Sequence, residues 1–257
     1  MFEKYRKDRI LNLSEILEQA VAHLQRQQYD KARPLLLTIL KFRSHINDQN
    51  WLNYVLMSLG NTYLLTEEYE GGISFFSEYI NLCPEDAGAY RERAALLWYT
   101  GHMRDSVRDY SRVLELKPEE LLALSGRGQV LSELGENSRA IQDLDAALKV
   151  LSAISRTDPN AKWFESVEAF TRNGKAFALA GLGDLQQAMS EFDASIRLSP
   201  NNAWVYHNRG QVFESTGEMA RARADYKQAL VKDDPPLNRV RRAHAQHRLS
   251  ELSKPPN

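Results

Sequence analysis

Apolar positions fall at helical spacing almost throughout the chain, and the pattern predicts pairs of amphipathic helices repeated end to end. The clearest pair spans 203–230, with a turn at Thr216-Gly217-Glu218. Small residues (Gly210, Ala222, Ala229) stand where its two helices must approach closely, and Trp204, Tyr206, Phe213 and Tyr226 where a neighbouring pair must be met. The small first-helix residue recurs at Gly60, Ala94, Gly128, Ala176 and Gly210, in steps of 34, 34, 48 and 34. Its second-helix counterpart recurs at Ala32, Gly72, Ser106, Ala140, Ala188 and Ala222, in steps of 40, 34, 34, 48 and 34. Two separate series share one period and one long step.

Other columns keep the same register. One helical turn after each small second-helix residue comes a large one: Leu36, Phe76, Tyr110, Leu144, Phe192 and Tyr226. Turns between paired helices fall at Gln27, Glu67, Gly101, Gly135, Gly183 and Gly217, the glycines suiting a left-handed C-cap. Pro84, Pro118, Pro200 and Pro235 close units where a helix must stop. No stretch alternates with strand period, so the expected class is all-α.

These columns resemble the tetratricopeptide repeat. Residues 203–234 carry Tyr206, Gly210, Phe213, Gly217, Ala222, Tyr226 and Ala229; residues 87–120 carry Tyr90, Ala94, Leu97, Gly101, Tyr110 and Pro118. Residues 53–86 carry Leu59, Gly60, Tyr63, Tyr69, Phe76 and Pro84, with Glu67 in place of the turn glycine. Units at 121–152 and 169–202 match in most columns, and the first, 13–44, through Ala20, Tyr29, Ala32, Leu36 and Ile39. The resemblance implies a single right-handed superhelical solenoid of about six helix-turn-helix repeats over 13–235, after a lead-in at 1–12. A capping helix at 236–252, with Leu237, Val240, Ala243 and Leu249 on one face, and a frayed tail at 253–257 complete the expectation. The two long steps predict lengthened helices at 41–52, with a turn near Asn47-Asp48, and at 151–168, with a turn at Asp158-Pro159-Asn160. The second of these is expected to bury Ile154, Trp163, Phe164 and Val167.

Composition narrows the class of work. Lys and Arg number 33 against 34 Asp and Glu, for a formal charge of -1, which argues against a protein that coats nucleic acid. A single cysteine, Cys83, excludes an internal disulfide and points to a reducing, cytoplasmic compartment. No apolar run has the length of a transmembrane helix, and the first residues carry no signal-peptide core. The six histidines lie in different units without metal-ligand spacing. His244 and His247 share a helix face, but a pair lacks the three or four ligands that zinc takes. Gly71-Gly72 and Gly126-Arg127-Gly128 sit inside helical units rather than in phosphate loops. Neither catalysis, a cofactor nor a metal is expected.

In the family that these residues resemble, the concave face of the first helices holds a partner peptide or helix. The matching positions here are Tyr54, Met57, Asn61, Arg91, Trp98, Gln129, Asn173, Phe177, His207, Asn208 and Gln211, amides for a backbone beside aromatic anchors. Met57, Phe177 and Trp98 equally suit packing between repeats. The clamp by which some members hold a chaperone's C-terminal carboxylate maps onto Met57, Asn61, Glu92, Leu122 and Gly126. Only Asn61 fits, so that ligand is not expected. Arg239, Arg241, Arg242 and Arg248 form a basic C-terminal patch, an alternative surface for an acidic or nucleic-acid partner. The expected function is a protein-binding scaffold, adaptor or co-chaperone; self-assembly into a homo-oligomer, through repeat ends or the Trp51 and Trp163 regions, is the structural alternative.

Overall fold

A computed structural model of the chain describes the backbone of residues 2–46, 48–153, 160–232 and 239–253, and their side chains except those of residues 2–11, 45 and 239. Thirteen α-helices and no strand occur among them, an all-α helical-repeat fold. They fall into two compact units, Met1–Leu116 and Lys117–Asn257, each built of three hairpins.

In unit 1 the hairpins are α1 (Phe2–Gln25) with α2 (Tyr29–Lys41), α3 (Gln49–Leu65) with α4 (Tyr69–Leu82), and α5 (Ala87–Tyr99) with α6 (Met103–Leu116). Unit 2 pairs α7 (Leu121–Glu133) with α8 (Asn137–Ser152), α9 (Ala161–Gly181) with α10 (Leu185–Leu198), and α11 (Ala203–Ser215) with α12 (Met219–Val231). A last helix, α13 (Arg239–Glu251), follows. Helix starts are set by side chains that accept from the first free backbone N–H groups: Asp48, Asp86, Glu120, Asp184 and Asn202.

Close approach inside each hairpin has a visible cause. A methyl group placed on Gly60 would lie 2.7 Å from the Phe76 ring, and one on Gly128 would lie 2.5 Å from Cγ of Leu144. The small column therefore receives the large column across the hairpin, and both large side chains are fully buried. All six inter-helix turns contain a left-handed residue: Gly101, Gly135, Gly183 and Gly217, and the non-glycines Gln27 (φ 56°) and Glu67 (φ 58°).

A second periodic device ties the hairpins. Arg93 holds Asp109 through two hydrogen bonds, Nε at 2.6 Å and Nη2 at 2.8 Å. Arg127 with Asp143, and Arg209 with Asp225, repeat the pair at the same sequence separation of 16. Lys175 and Glu191 stand in for it between α9 and α10, 3.2 Å apart. All three aspartates are buried, so each needs its arginine.

The long steps are accommodated asymmetrically. α9 has 21 residues against 13 in α7 and α11, about two extra turns, whereas α8 has 16. Val167 is buried in the added part, but Trp163 is 48% exposed and packs edge-on against Phe164, so burial does not extend to the helix start. Ile154 and the turn residues Asp158 and Pro159 lie outside the described residues. At the 40-residue step α2 keeps 13 residues, a 3-10 turn covers Arg43–His45, and only α3 lengthens, to 17. Asp48, which caps α3, fixes that start; Asn47 lies outside the described residues. α1 begins at Phe2, so helix already occupies the lead-in expected at 1–12. No described helix is long and apolar enough to cross a membrane.

Candidate functional site

The first helices carry all the expected groove residues, and the two units treat them differently. In unit 1, Tyr54 at the start of α3 is 43% exposed, and Asn61 one helical stretch later is half-buried. Arg91 on α5 is half-buried and pairs with its neighbour Glu92 at 2.6 Å. Trp98 is buried, its ring stacked on Tyr99 at 5.2 Å. Trp98 therefore serves packing, while Tyr54, Asn61 and Arg91 remain in reach of solvent.

In unit 2 the corresponding polar side chains are taken up internally. Gln129 and Asn173 have no exposed surface, and His207 and Asn208 are 3% and 4% exposed. Gln129 donates to Glu133 at 2.9 Å, and Asn208 donates to Asn173 at 3.3 Å. His207 Nδ1 lies 3.3 Å from Oδ1 of Asn208. Only Gln211 is half-buried. Phe177 packs with Ala176, Phe192 and Val205 in the core of α9 to α11.

The missing piece of the arrangement is α13, which reaches past its own hairpin to α7. Arg241 forms an ion pair with Glu133, and its guanidinium lies 4.0 Å above the Trp204 ring. Nδ1 of His244 is 3.0 Å from Nε2 of His207, one nitrogen donating and the other accepting. Arg248 pairs with Glu214, which also accepts from the Tyr226 hydroxyl at 2.8 Å. Burial drives the His207 imidazole down to about 4, with Arg241 and His244 acting in the same direction against the Asn208 hydrogen bond. His244 is lowered as well, mainly by burial. Arg248 holds the Glu214 carboxyl below its ordinary range. The pair of imidazoles is therefore neutral at pH 7.

These contacts also revise the basic patch. Arg241 and Arg248 face the protein and meet carboxylates rather than forming an outward surface; Arg242 is half-buried, and the Arg239 side chain lies outside the described residues. The sequence signal for this was available in the i, i+3, i+7 spacing of Arg241, His244 and Arg248, which puts three polar side chains on one face. The Arg–Asp pairs were legible too, since Arg93, Arg127 and Arg209 each precede the small first-helix residue. Among the described residues no group of three His, Cys, Asp or Glu side chains is placed to hold a metal ion.

The family model for the tetratricopeptide repeat matches residues 91–161 and 173–238, more than half of the chain. The chain belongs to the tetratricopeptide repeat family. Proteins built from these repeats generally mediate protein–protein interaction. The human tetratricopeptide repeat protein 6 is 25% identical over 135 residues, covering 52% of this chain and 23% of that protein. The Hsp70-Hsp90 organizing protein of Triticum aestivum is 27% identical over 128 residues, covering 50% of this chain and 20% of that protein. This chain thus spans less than a quarter of either relative's length. Among solved structures, a tetratricopeptide repeat protein from Parabacteroides merdae superposes with a TM-score of 0.61 at 18% identity, over 94% of this chain and 99% of that one, a likeness of fold.

Proposed function

We propose that this tetratricopeptide repeat protein is a non-catalytic adaptor that grips a segment of a partner protein on its first helices, in the manner of a scaffold or co-chaperone. The observation that carries the reading is the solvent-reachable trio of Tyr54, Asn61 and Arg91 on α3 and α5 of unit 1. An aromatic anchor, an amide and a guanidinium are the residue types that dominate interface hot spots and backbone recognition. A folded repeat face also loses little conformational freedom on binding. The similarity to the Hsp70-Hsp90 organizing protein supports the co-chaperone form of the reading, and the single Cys83 supports a reducing, cytoplasmic setting.

The test is capture from native lysate by the full chain beside a Tyr54→Ala, Asn61→Ala, Arg91→Ala variant. A protein retained by the intact chain and lost by the variant supports the adaptor reading; identical retention by both contradicts it. A second reading, self-assembly through the start of α9, rests on the half-exposed Trp163. Sedimentation of the full chain and of Trp163→Ala at two concentrations separates it, a dimer lost in the variant being the expected signature.

A further inference from the structure

α13 is held to unit 2 through two ion pairs, a histidine pair and a guanidinium on a ring. Its sequence, RVRRAHAQHRLSE, offers few apolar side chains. Among its described residues Ala245 alone is fully buried, and Val240 is 70% exposed. Arg241, His244, Ala245 and Arg248 are turned toward the repeats, at i, i+3, i+4 and i+7, the anchor spacing of a helix lying in a groove, with Leu249 half-buried beside them. A cap built to bury apolar surface would carry leucine or isoleucine there.

The receiving surface has matching chemistry and is drawn from two separate hairpins. Glu133 ends α7; Trp204, His207 and Glu214 line α11. A carboxylate at each end, with an indole face beside the first, suits arginine specifically, because a planar guanidinium can pair with a carboxylate and stack on a ring at once. Arg241 does both. On first helices of the same unit, Oε1 of Gln129 and Nδ2 of Asn173 are buried and have no hydrogen-bond partner among the described residues.

We propose that Glu133, Trp204, His207 and Glu214 form a docking site for an arginine-bearing amphipathic helix of another protein, and that α13 is the resident helix which such a ligand displaces. The inference rests on the reading of the chain as a binding module and adds to the unit 1 surface a second site, on unit 2, with one ligand chemistry. Because α13 is tethered, it competes at an effective concentration of about millimolar, so an outside helix meets a closed site in the resting chain.

The probe is a fluorescein-labelled, end-capped alanine-based helix carrying Arg, His, Ala and Arg at i, i+3, i+4 and i+7. Anisotropy titrations compare the full chain with full-length Arg241→Glu, Arg248→Glu, in which α13 is repelled from Glu133 and Glu214. The variant is expected to bind the probe at least tenfold more tightly than the parent, and adding Glu133→Gln, Glu214→Gln is expected to abolish that gain. Equal binding by parent and variant would overturn the proposal, as would a gain that survives the Glu133→Gln, Glu214→Gln changes. Far-UV melts check folding, and Arg241→Gln, Arg248→Gln serves as the milder release if the charge reversal does not fold. A concentration-dependent dimer whose dissociation alone admits the probe would assign the site to α13 of a second copy and also overturn it. Failure of probe binding with Tyr54-dependent lysate capture intact would sink this inference and leave the adaptor reading standing; the converse result would do the opposite.

Discussion

The first helices of unit 1 and unit 2 carry the same repeat in the same register, yet one face meets solvent at Tyr54 and the other is roofed at Trp204. Both residues stand six positions before the small first-helix glycine, Gly60 or Gly210. Tyr54 is 43% exposed and Trp204 6%. The repeat sets where a side chain stands, and the segments packed over it decide whether it can serve as a ligand contact. A column of groove positions is therefore a set of opportunities, of which α13 has taken His207 in unit 2.

The largest expected effect concerns the ion pairs within hairpins, which, among the described residues, unit 2 uses in all three hairpins and unit 1 only between α5 and α6. Asp143→Ala would leave Arg127 without the carboxylate it was folded around and is expected to cost about 3 kcal/mol. Urea unfolding measures it. The corresponding positions between α3 and α4 are Leu59 and Phe75, where an alanine substitution would report packing alone. Next comes Gly128→Ala, whose added methyl would meet Leu144 at 2.5 Å and carbonyl oxygen of Ala140 at 3.2 Å. It is expected to cost about 2 kcal/mol, read from the same denaturation curves.

A third prediction separates the units by pH. His207 in the folded chain titrates near 4, below the ordinary histidine value of 6.5. Between those values the opened chain binds more protons than the folded one, so stability is lost as pH falls. His244, Glu214, Arg241 and Arg248 surround the imidazole, and lifting α13 exposes it. Hydrogen exchange of α13, corrected for intrinsic rates, is expected to be about tenfold faster at pH 5 than at pH 7, or about 1.4 kcal/mol, with α3 and α5 little changed. Equal acceleration in both units would count against a local role for His207.

The smallest effect concerns the turns. Unit 1 places Gln27 and Glu67 in left-handed conformations that unit 2 reserves for Gly135, Gly183 and Gly217. Glu67→Gly is expected to raise stability by about 0.5 kcal/mol, relief of backbone strain outweighing the extra freedom of the unfolded chain. A thermal melt would detect it as a rise of a few degrees or less.

Most of the fold was legible because it is written several times. The turn positions, the fit of Gly60 against Phe76 and of Gly128 against Leu144, and the all-helical class follow from columns that recur every 34 residues. Features that occur once were harder. The added residues before Val167 went mostly into α9, and Trp163 stayed half-exposed, because a helix start needs neighbours on its outer face that a period cannot supply. The candidate site was legible as positions and not as surface. Gln129, Asn173, His207 and Asn208 point where the repeat directs them, but Asn173 and Asn208 meet each other between neighbouring first helices, Gln129 packs against Gly174, and His207 meets α13, which belongs to no repeat. The arginines of α13 looked like a solvated patch because their partners, Glu133 and Glu214, lie 108 and 34 residues away in sequence.

Hydroxyl-radical footprinting of the full chain, read residue by residue with mass spectrometry, tests the contrast between the two faces most directly. Tyr54 should be oxidised readily and Trp204 poorly in the parent chain. In Arg241→Glu, Arg248→Glu, Trp204 should become reactive while Tyr54 and Trp98 keep their parent rates. Trp204 as reactive as Tyr54 in the parent, or unchanged by the release of α13, would contradict the roofed face of unit 2.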